Sequence, residues 1–493
     1  MDTSIDHGQR SRRKRIVRIF IAAAAMLWLA LFVFFAGHDS IWFDELFSIA
    51  QSRLPLHELL RIAAADIHPP GYPVVLKIFL RLFGDSWFVA RIFSVFTVFS
   101  AGAVMVGYCS DRRVGIASAG CFLLLPAVGF CAQDIRMYGL SMFFLAVFIV
   151  CANRIVAREH GGWGDFCGLG IAAWGSALTL NYAVPYLFVP AVWMIVSLWR
   201  GGRRKDCWIA IAVLAAAALA YSPWLPCAWG QLTRVRGAFW APPLTLKACI
   251  LIFDMPFMGY SLNFISTLVM ATAVCFLPAA SALGGYRGDR ARCLRLWYLA
   301  AAAVFPAVVG VVLSLLRGRT LIIDRAMLPA CVPLALMFGE AFASPVVRRG
   351  FKVSAAAVMA IFFVYHSCCI VYRTRDGALP ALRDCLNADY AGKTLYYSEA
   401  HDAATAAGVL PRRRHTVISS ESDPMGMLIL GNVDVAEPPL ARGNGRIFIL
   451  GEEESPTEFL RRAQGVGELR LERSFYSRYR FQHFKICRES VTP

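Results

Sequence analysis

A few short polar groups stand out from a mostly apolar sequence, and their side chains suit acid–base and phosphate chemistry. The first is Trp42-Phe43-Asp44-Glu45. A carboxylate such as Asp44 can take a proton from a substrate hydroxyl. Adjacent residues point in different directions, so one of the pair can face a substrate while the other holds structure. A solvated loop also accommodates such a pair. The second group is Asp66-Ile67-His68-Pro69-Pro70-Gly71-Tyr72-Pro73. Its prolines exclude helix before them and pre-set a rigid approach to the next helix. That rigidity can place His68 for phosphate binding or proton transfer, or can simply mark a helix start. The third group is Gln133-Asp134-Ile135-Arg136-Met137-Tyr138. Arg136 can pair with a phosphate and Asp134 can orient it, or Arg136 and Tyr138 can anchor a helix end at a membrane interface. The fourth holds Arg317, Arg319, Asp324 and Arg325, which suit an anionic ligand or snorkelling to headgroups. Trp42, Tyr72, Tyr138, Tyr182 and Trp224 add aromatic faces for stacking on a sugar.

The elements that position these groups must lie in lipid. The 493 residues are 58% hydrophobic and 17% charged, with mean hydropathy +0.54. A soluble core of this length could not hide so much apolar side chain. The net charge of +17 sits in short Arg and Lys clusters between apolar runs, which reads as loops facing anionic headgroups rather than a nucleic-acid surface. Most of the 15 cysteines lie inside apolar runs, and no CxxC or Cys/His zinc spacing occurs. Cys385 and Cys487 fall outside those runs, where a disulfide and two unpaired core thiols are both open.

Apolar runs near 19–36, 87–108, 114–132, 139–157, 165–180, 184–199, 207–225, 263–283, 296–316, 326–343 and 352–372 predict about eleven helical spans. The basic flank before the first run reads as an uncleaved span leaving the cytoplasm. Residues 37–86 then form a large first outer loop, with an amphipathic surface helix over 54–64. Alternate connections carry the positive charge: Arg112 and Arg113, Arg154 and Arg158, Arg203 to Lys205, Arg290 to Arg295, and Arg348 to Lys352. They define the cytoplasmic side, leaving the four polar groups and the C-terminus outside. The spans hold few ionisable groups, which counts against a pump or ion-coupled transporter.

The tail from about Arg373 predicts a small extracytoplasmic α/β domain over 373–493, following a membrane domain over 1–372. Strand-like runs appear at 394–397, 416–418 and 446–450. Ser455-Pro456-Thr457-Glu458 starts a helix, and 469–475 with 479–486 closes as a hairpin. It contains no Gly-rich phosphate loop and no nucleophile elbow.

Several motifs occur in a telling order: Asp-Glu after the first span, His68-Pro69-Pro70, Phe83-Gly84 with Arg91 soon after, and Arg136-Met137-Tyr138. They continue with Asn181-Tyr182, Pro223-Trp224-Leu225-Pro226, and Arg325 before Leu328-Pro329. This combination resembles the bacterial GT-C glycosyltransferases of the family 39 type, over about residues 19–343. That group includes protein mannosyltransferases, aminoarabinose transferases of lipid A and rhizobial galacturonosyltransferases. The resemblance implies an inverting transferase of the bacterial inner membrane. Its donor would be a polyprenyl-phosphate sugar, and its acceptor an envelope glycolipid, polysaccharide or protein.

On that resemblance Asp44 is the base and Glu45 supports it or touches the acceptor. His68, Arg136 and Arg325 hold the donor phosphate, with Lys77 and Arg91 as further candidates. Tyr72, Asp134, Tyr138, Asn181 and Tyr182 line the substrate pocket. Many relatives carry His-Tyr where this chain has Asn181-Tyr182, so a role for that histidine does not transfer. No Asp-x-Asp metal motif is evident, and neither a metal nor a cofactor is expected. The competing reading is a lipid-linked glycan flippase without chemistry; a third is a non-catalytic envelope scaffold that could do without Asp44.

Overall fold

The computed structural model describes residues 3–37, 41–238, 244–258, 289–318 and 320–375, isolated positions between 271 and 281, and, in the tail, 378–391 with the strands and a few neighbours. The predicted span 263–283, the helix start at 455–458 and Arg319 lie largely or wholly outside the described residues.

The chain is a polytopic helical membrane protein with a small α/β region at its C-terminal end. Helix α1 (Thr3–Phe35) contributes an apolar segment over Ile19–Phe35. Three short helices follow where the sequence predicts an outer loop: α2 (Phe43–Arg53), α3 (Leu56–Ala65) and α4 (Gly71–Phe83). The bundle continues with α5 (Trp87–Met105), α6 (Arg112–Leu124), α7 (Pro126–Gln133), α8 (Tyr138–Ala157) and α9 (Trp163–Thr179). Next come α10 (Ala183–Arg200), α11 (Arg204–Tyr221), α12 (Leu225–Ala238) and α13 (Leu246–Met258). Helix α14 (Arg290–Arg317), a 3₁₀ turn (Asp324–Ala330), α15 (Cys331–Ala343) and α16 (Arg349–Arg375) complete it. Seven helices among the described residues are individually long and apolar enough to cross a bilayer. Phe188, Val192, Val308, Val312, Ile361 and Val364 are exposed on them, an arrangement that suits lipid rather than water.

The run 114–132 is not one straight span. It bends by 66° between α6 and α7. Pro126 cannot continue the ladder of α6, so the chain turns at Leu125 and starts a new helix with proline in its first turn. All eight residues of α7 are buried, and its end delivers Asp134 and Arg136 into the bundle.

The predicted basic connections lie at the other end of the helices. There Glu340 is wholly buried between Arg292 and Arg295. Arg203 closes the end of α8 by donating to the carbonyls of Ile155 (2.8 Å) and Val156 (3.1 Å).

In the tail, α17 (Ala378–Asp389) packs on a six-stranded sheet ordered β3-β2-β1-β4-β6-β5. β1 (Leu395–Tyr397), β2 (His415–Ile418), β3 (Val433–Ala436) and β4 (Ile447–Leu450) are parallel. β5 (Glu468–Ser477) and β6 (Gln482–Ser490) pair with each other as the predicted hairpin, and β6 lies antiparallel beside β4. Every residue of β4 is buried, as expected for a parallel strand covered on both faces. Cys385 and Cys487 are free thiols, which realises the unpaired alternative.

Candidate active site

The site is assembled at the start of α2. Glu45, in the first turn, accepts the Trp42 N–H (3.3 Å), which fixes where the helix begins. Asp44 and Glu45 both suit the positive end of the helix dipole. They then diverge. Glu45 is fully buried, accepts the Ile135 N–H (3.2 Å) and lies 3.6 Å from the Arg91 guanidinium. It therefore holds α2 against the 134–137 segment, and the structural alternative for one member of the pair falls to Glu45.

The Asp44 side chain is 26% exposed and faces two arginines. Arg325, on the 3₁₀ turn, donates to its Oδ2 from 3.2 Å, and Arg136 lies 3.8 Å from the same oxygen. Arg136 also donates to the Asp44 carbonyl and to the Ser48 hydroxyl, both at 3.3 Å. Its Nε is buried with no acceptor among the described residues. Burial alone would lower the Arg136 pKa; Asp44, Tyr138, Asp134 and Asp66 together outweigh it and raise it. The guanidinium is thus firmly charged.

Trp42 ties the cluster together. Its indole N–H donates to Asp134 (3.2 Å), and its ring lies 4.9 Å from the Arg325 guanidinium. Ser94, from α5, donates to the Asp134 carbonyl at 2.7 Å. Tyr138 and Tyr72 are buried nearby, the first within electrostatic reach of Arg325, Arg136, Asp134 and Asp44, the second of Asp134, Arg136 and Glu45. Tyr182 donates to the Leu321 carbonyl and Tyr186 to that of Ala326 (3.0 Å), so α10 anchors the segment that carries Arg325.

His68, partly buried in the segment between α3 and α4, lies within electrostatic reach of the same cluster. Burial depresses its pKa to about 4, with Asp66 and Asp44 opposing that shift and Arg136 and Arg325 adding to it. The imidazole is therefore neutral at ordinary pH. Gly71 explains how this segment can sit so deep. A Cβ at that position would lie 2.5 Å from the Leu178 carbonyl oxygen, so only glycine allows α4 to start against the backbone of α9.

Two expected phosphate ligands are elsewhere. Lys77 donates to the carbonyls of Ser52 (3.1 Å), Arg53 (3.4 Å) and Leu54, closing the far end of α2. At 1.5 Å per residue, Ser52 is roughly 12 Å from Asp44 along the helix. Arg91 is buried behind α2, paired with Glu45 and donating to the Ala36 carbonyl (3.4 Å). A lone cation in a sequence carries no direction, and both of these serve backbone or carboxylate groups within the fold.

Asn181 supports the site without lining it, donating to Ile67 O and to Gln231 Oε1, both at 3.1 Å. Sequence reading gives no role to Gln231, Ser48, Ser94 or Asp66. Neutral polar residues carry no spacing signal, and Asp66 stands beside a histidine that draws the attention.

No protein-family model matches the chain, and no curated protein matches its sequence. Solved structures that match its fold include two of one protein. The crystal structure of ArnT from Cupriavidus metallidurans bound to undecaprenyl phosphate superposes with a TM-score of 0.59 at 12% identity, covering 95% of this chain and 97% of that one. The apo crystal structure of the same protein gives 0.56 at 13% identity, covering 96% and 98%. Seven described helices long and apolar enough to span, a mixed sheet at the C-terminal end and a likeness that runs nearly end to end in both chains lead to one statement: this protein shares the fold of the ArnT structures.

Proposed function

We propose that the chain is an inverting glycosyltransferase that takes its sugar from a polyprenyl-phosphate donor on the outer face of the cytoplasmic membrane. The observation that carries this reading is the Asp44 carboxylate held between Arg325 and Arg136, three groups from remote parts of the chain. The ArnT structure of like fold contains undecaprenyl phosphate, the kind of leaving group such a site suits.

The geometry suggests how donor binding prepares the base. Without donor, both guanidinium groups face Asp44. A phosphate arriving beside them offers a charge-assisted, bidentate partner, and the buried Arg136 Nε has no other acceptor among the described residues. Transfer of the arginines to the phosphate releases Asp44 to accept the acceptor's hydroxyl proton. The acceptor oxygen then bonds to the anomeric carbon from the face opposite the phosphate. The bond between that carbon and the phosphate oxygen breaks, and its electron pair leaves with polyprenyl phosphate. Arg136 and Arg325 stabilise the developing charge, and neutral His68 supplies a hydrogen bond without adding charge.

Purified protein in detergent micelles, given a lipid extract and an envelope fraction from cells lacking it, should convert polyprenyl-phosphate sugar to polyprenyl phosphate, read by mass spectrometry. A flippase has no bilayer to act on in micelles. Inertness there, combined with movement of the donor lipid across vesicles, would replace the reading with transport.

A further inference from the structure

Helix α3 ends where the Pro69-Pro70 pair forbids its continuation, leaving carbonyls that need donors. Gln231 on α12, 1% exposed, donates from one amide nitrogen to Ala63 O (2.8 Å) and His68 O (3.2 Å). Asn181, just past the end of α9, donates to Ile67 O (3.1 Å) and to Gln231 Oε1 (3.1 Å). Two amides from distant segments thus form a belt around the backbone of 63–68. Gly71 presses the same segment against α9 from its other end. The belt holds backbone only, so its effect on chemistry passes through the side chain it positions.

We propose that Gln231, braced by Asn181, is a positioning residue that sets where His68 stands against the donor phosphate. This rests on the donor reading given above. The charged groups within electrostatic reach of His68 are Asp66 at the end of α3, Asp44 on α2, Arg136 on the 134–137 segment and Arg325 on the 3₁₀ turn. Their charges oppose one another, and burial keeps the ring neutral. His68 is partly buried, so if the belt opens its imidazole gains further contact with water and its pKa returns toward the ordinary value of about 6.5. The ring then gains a charge between pH 7 and pH 5 that the intact protein does not gain.

The test uses full-length protein in nanodiscs, undecaprenyl phosphate as probe, and dissociation constants from pH 5 to pH 8. Gln231→Glu keeps the side-chain shape but removes both donors; Asn181→Asp does the same for its partner, and guards against one variant failing to fold. Taking each variant's affinity as a ratio to the unaltered protein cancels ionisation of the probe. We expect about tenfold weaker binding at pH 8, equivalent to one misplaced hydrogen bond, with the deficit shrinking toward pH 5 as His68 becomes cationic. In a His68→Asn background, Gln231→Glu should add little, and the pH trend should vanish. Unchanged affinity in both variants overturns the proposal. So does a loss that is equal at every pH and fully additive with His68→Asn, which would assign the belt to the fold alone. Failure of the unaltered protein to bind the probe overturns the donor reading itself, and does so without reference to Gln231.

Discussion

Asp44 is partly open and faces two guanidinium groups, whereas Glu45 is sealed against Arg91 and two backbone N–H groups. The two acids should therefore respond differently to loss of charge. Glu45→Gln leaves Arg91 buried without its counter-charge and should cost about 3–5 kcal/mol, visible as a large drop in melting temperature in detergent. Adding Arg91→Met should recover much of that loss. Asp44→Asn should melt within a few degrees of the unaltered protein, because partly exposed pairs contribute roughly 1 kcal/mol or less. Arg325→Ala and Arg136→Ala should each weaken undecaprenyl phosphate binding by about ten- to a hundredfold, the scale of a lost charge-assisted bond. At this scale the sequence was informative wherever chemistry-bearing residues came with rigid punctuation. His68 beside two prolines and Arg136 beside a span end are brought to one cluster. Lys77 and Arg91 are not, because charge type does not reveal direction. Gln231 was invisible, since an amide flanked by apolar and basic residues matches no pattern.

The site depends on interruptions in the helices rather than on their regular parts. Pro126 bends a span and turns its second half into the buried lead-in to Asp134 and Arg136. Gly71 lets the His68 segment approach the backbone of α9. Gly71→Ala puts a methyl group 2.5 Å from a carbonyl oxygen, a contact that only backbone movement can relieve. It should destabilise by about 1–3 kcal/mol and weaken donor binding as well, measured by melting and by undecaprenyl phosphate affinity. An exposed substitution such as Gly164→Ala, with open space around its Cβ, should do neither. The prolines and glycines were legible as breaks. The direction in which each break turns the chain was not, because it depends on the helices packed around it.

Across the whole molecule the charge pattern and the site agree. The cluster lies where α8 begins and α9 ends, and the Arg-rich connections lie where α8 ends and α9 begins. If the positive end is cytoplasmic, alkaline phosphatase fused at the C-terminus should be active and a fusion at Arg203 inactive. The reverse pattern would invert the orientation. Hydropathy made the membrane domain legible because a bilayer imposes a fixed length on apolar runs. The tail was harder to read. Three parallel strands and a hairpin showed as short apolar runs, while Val433–Ala436 alternates too briefly to signal β3.

The most direct test of the account is the turnover of Asp44→Asn in the micellar transfer assay, with undecaprenyl phosphate affinity measured on the same preparation. The account predicts that polyprenyl phosphate release falls by about 10²–10⁴, the usual contribution of a positioned base, while the lipid still binds. Turnover at the unaltered rate in a protein that binds the lipid normally would contradict it.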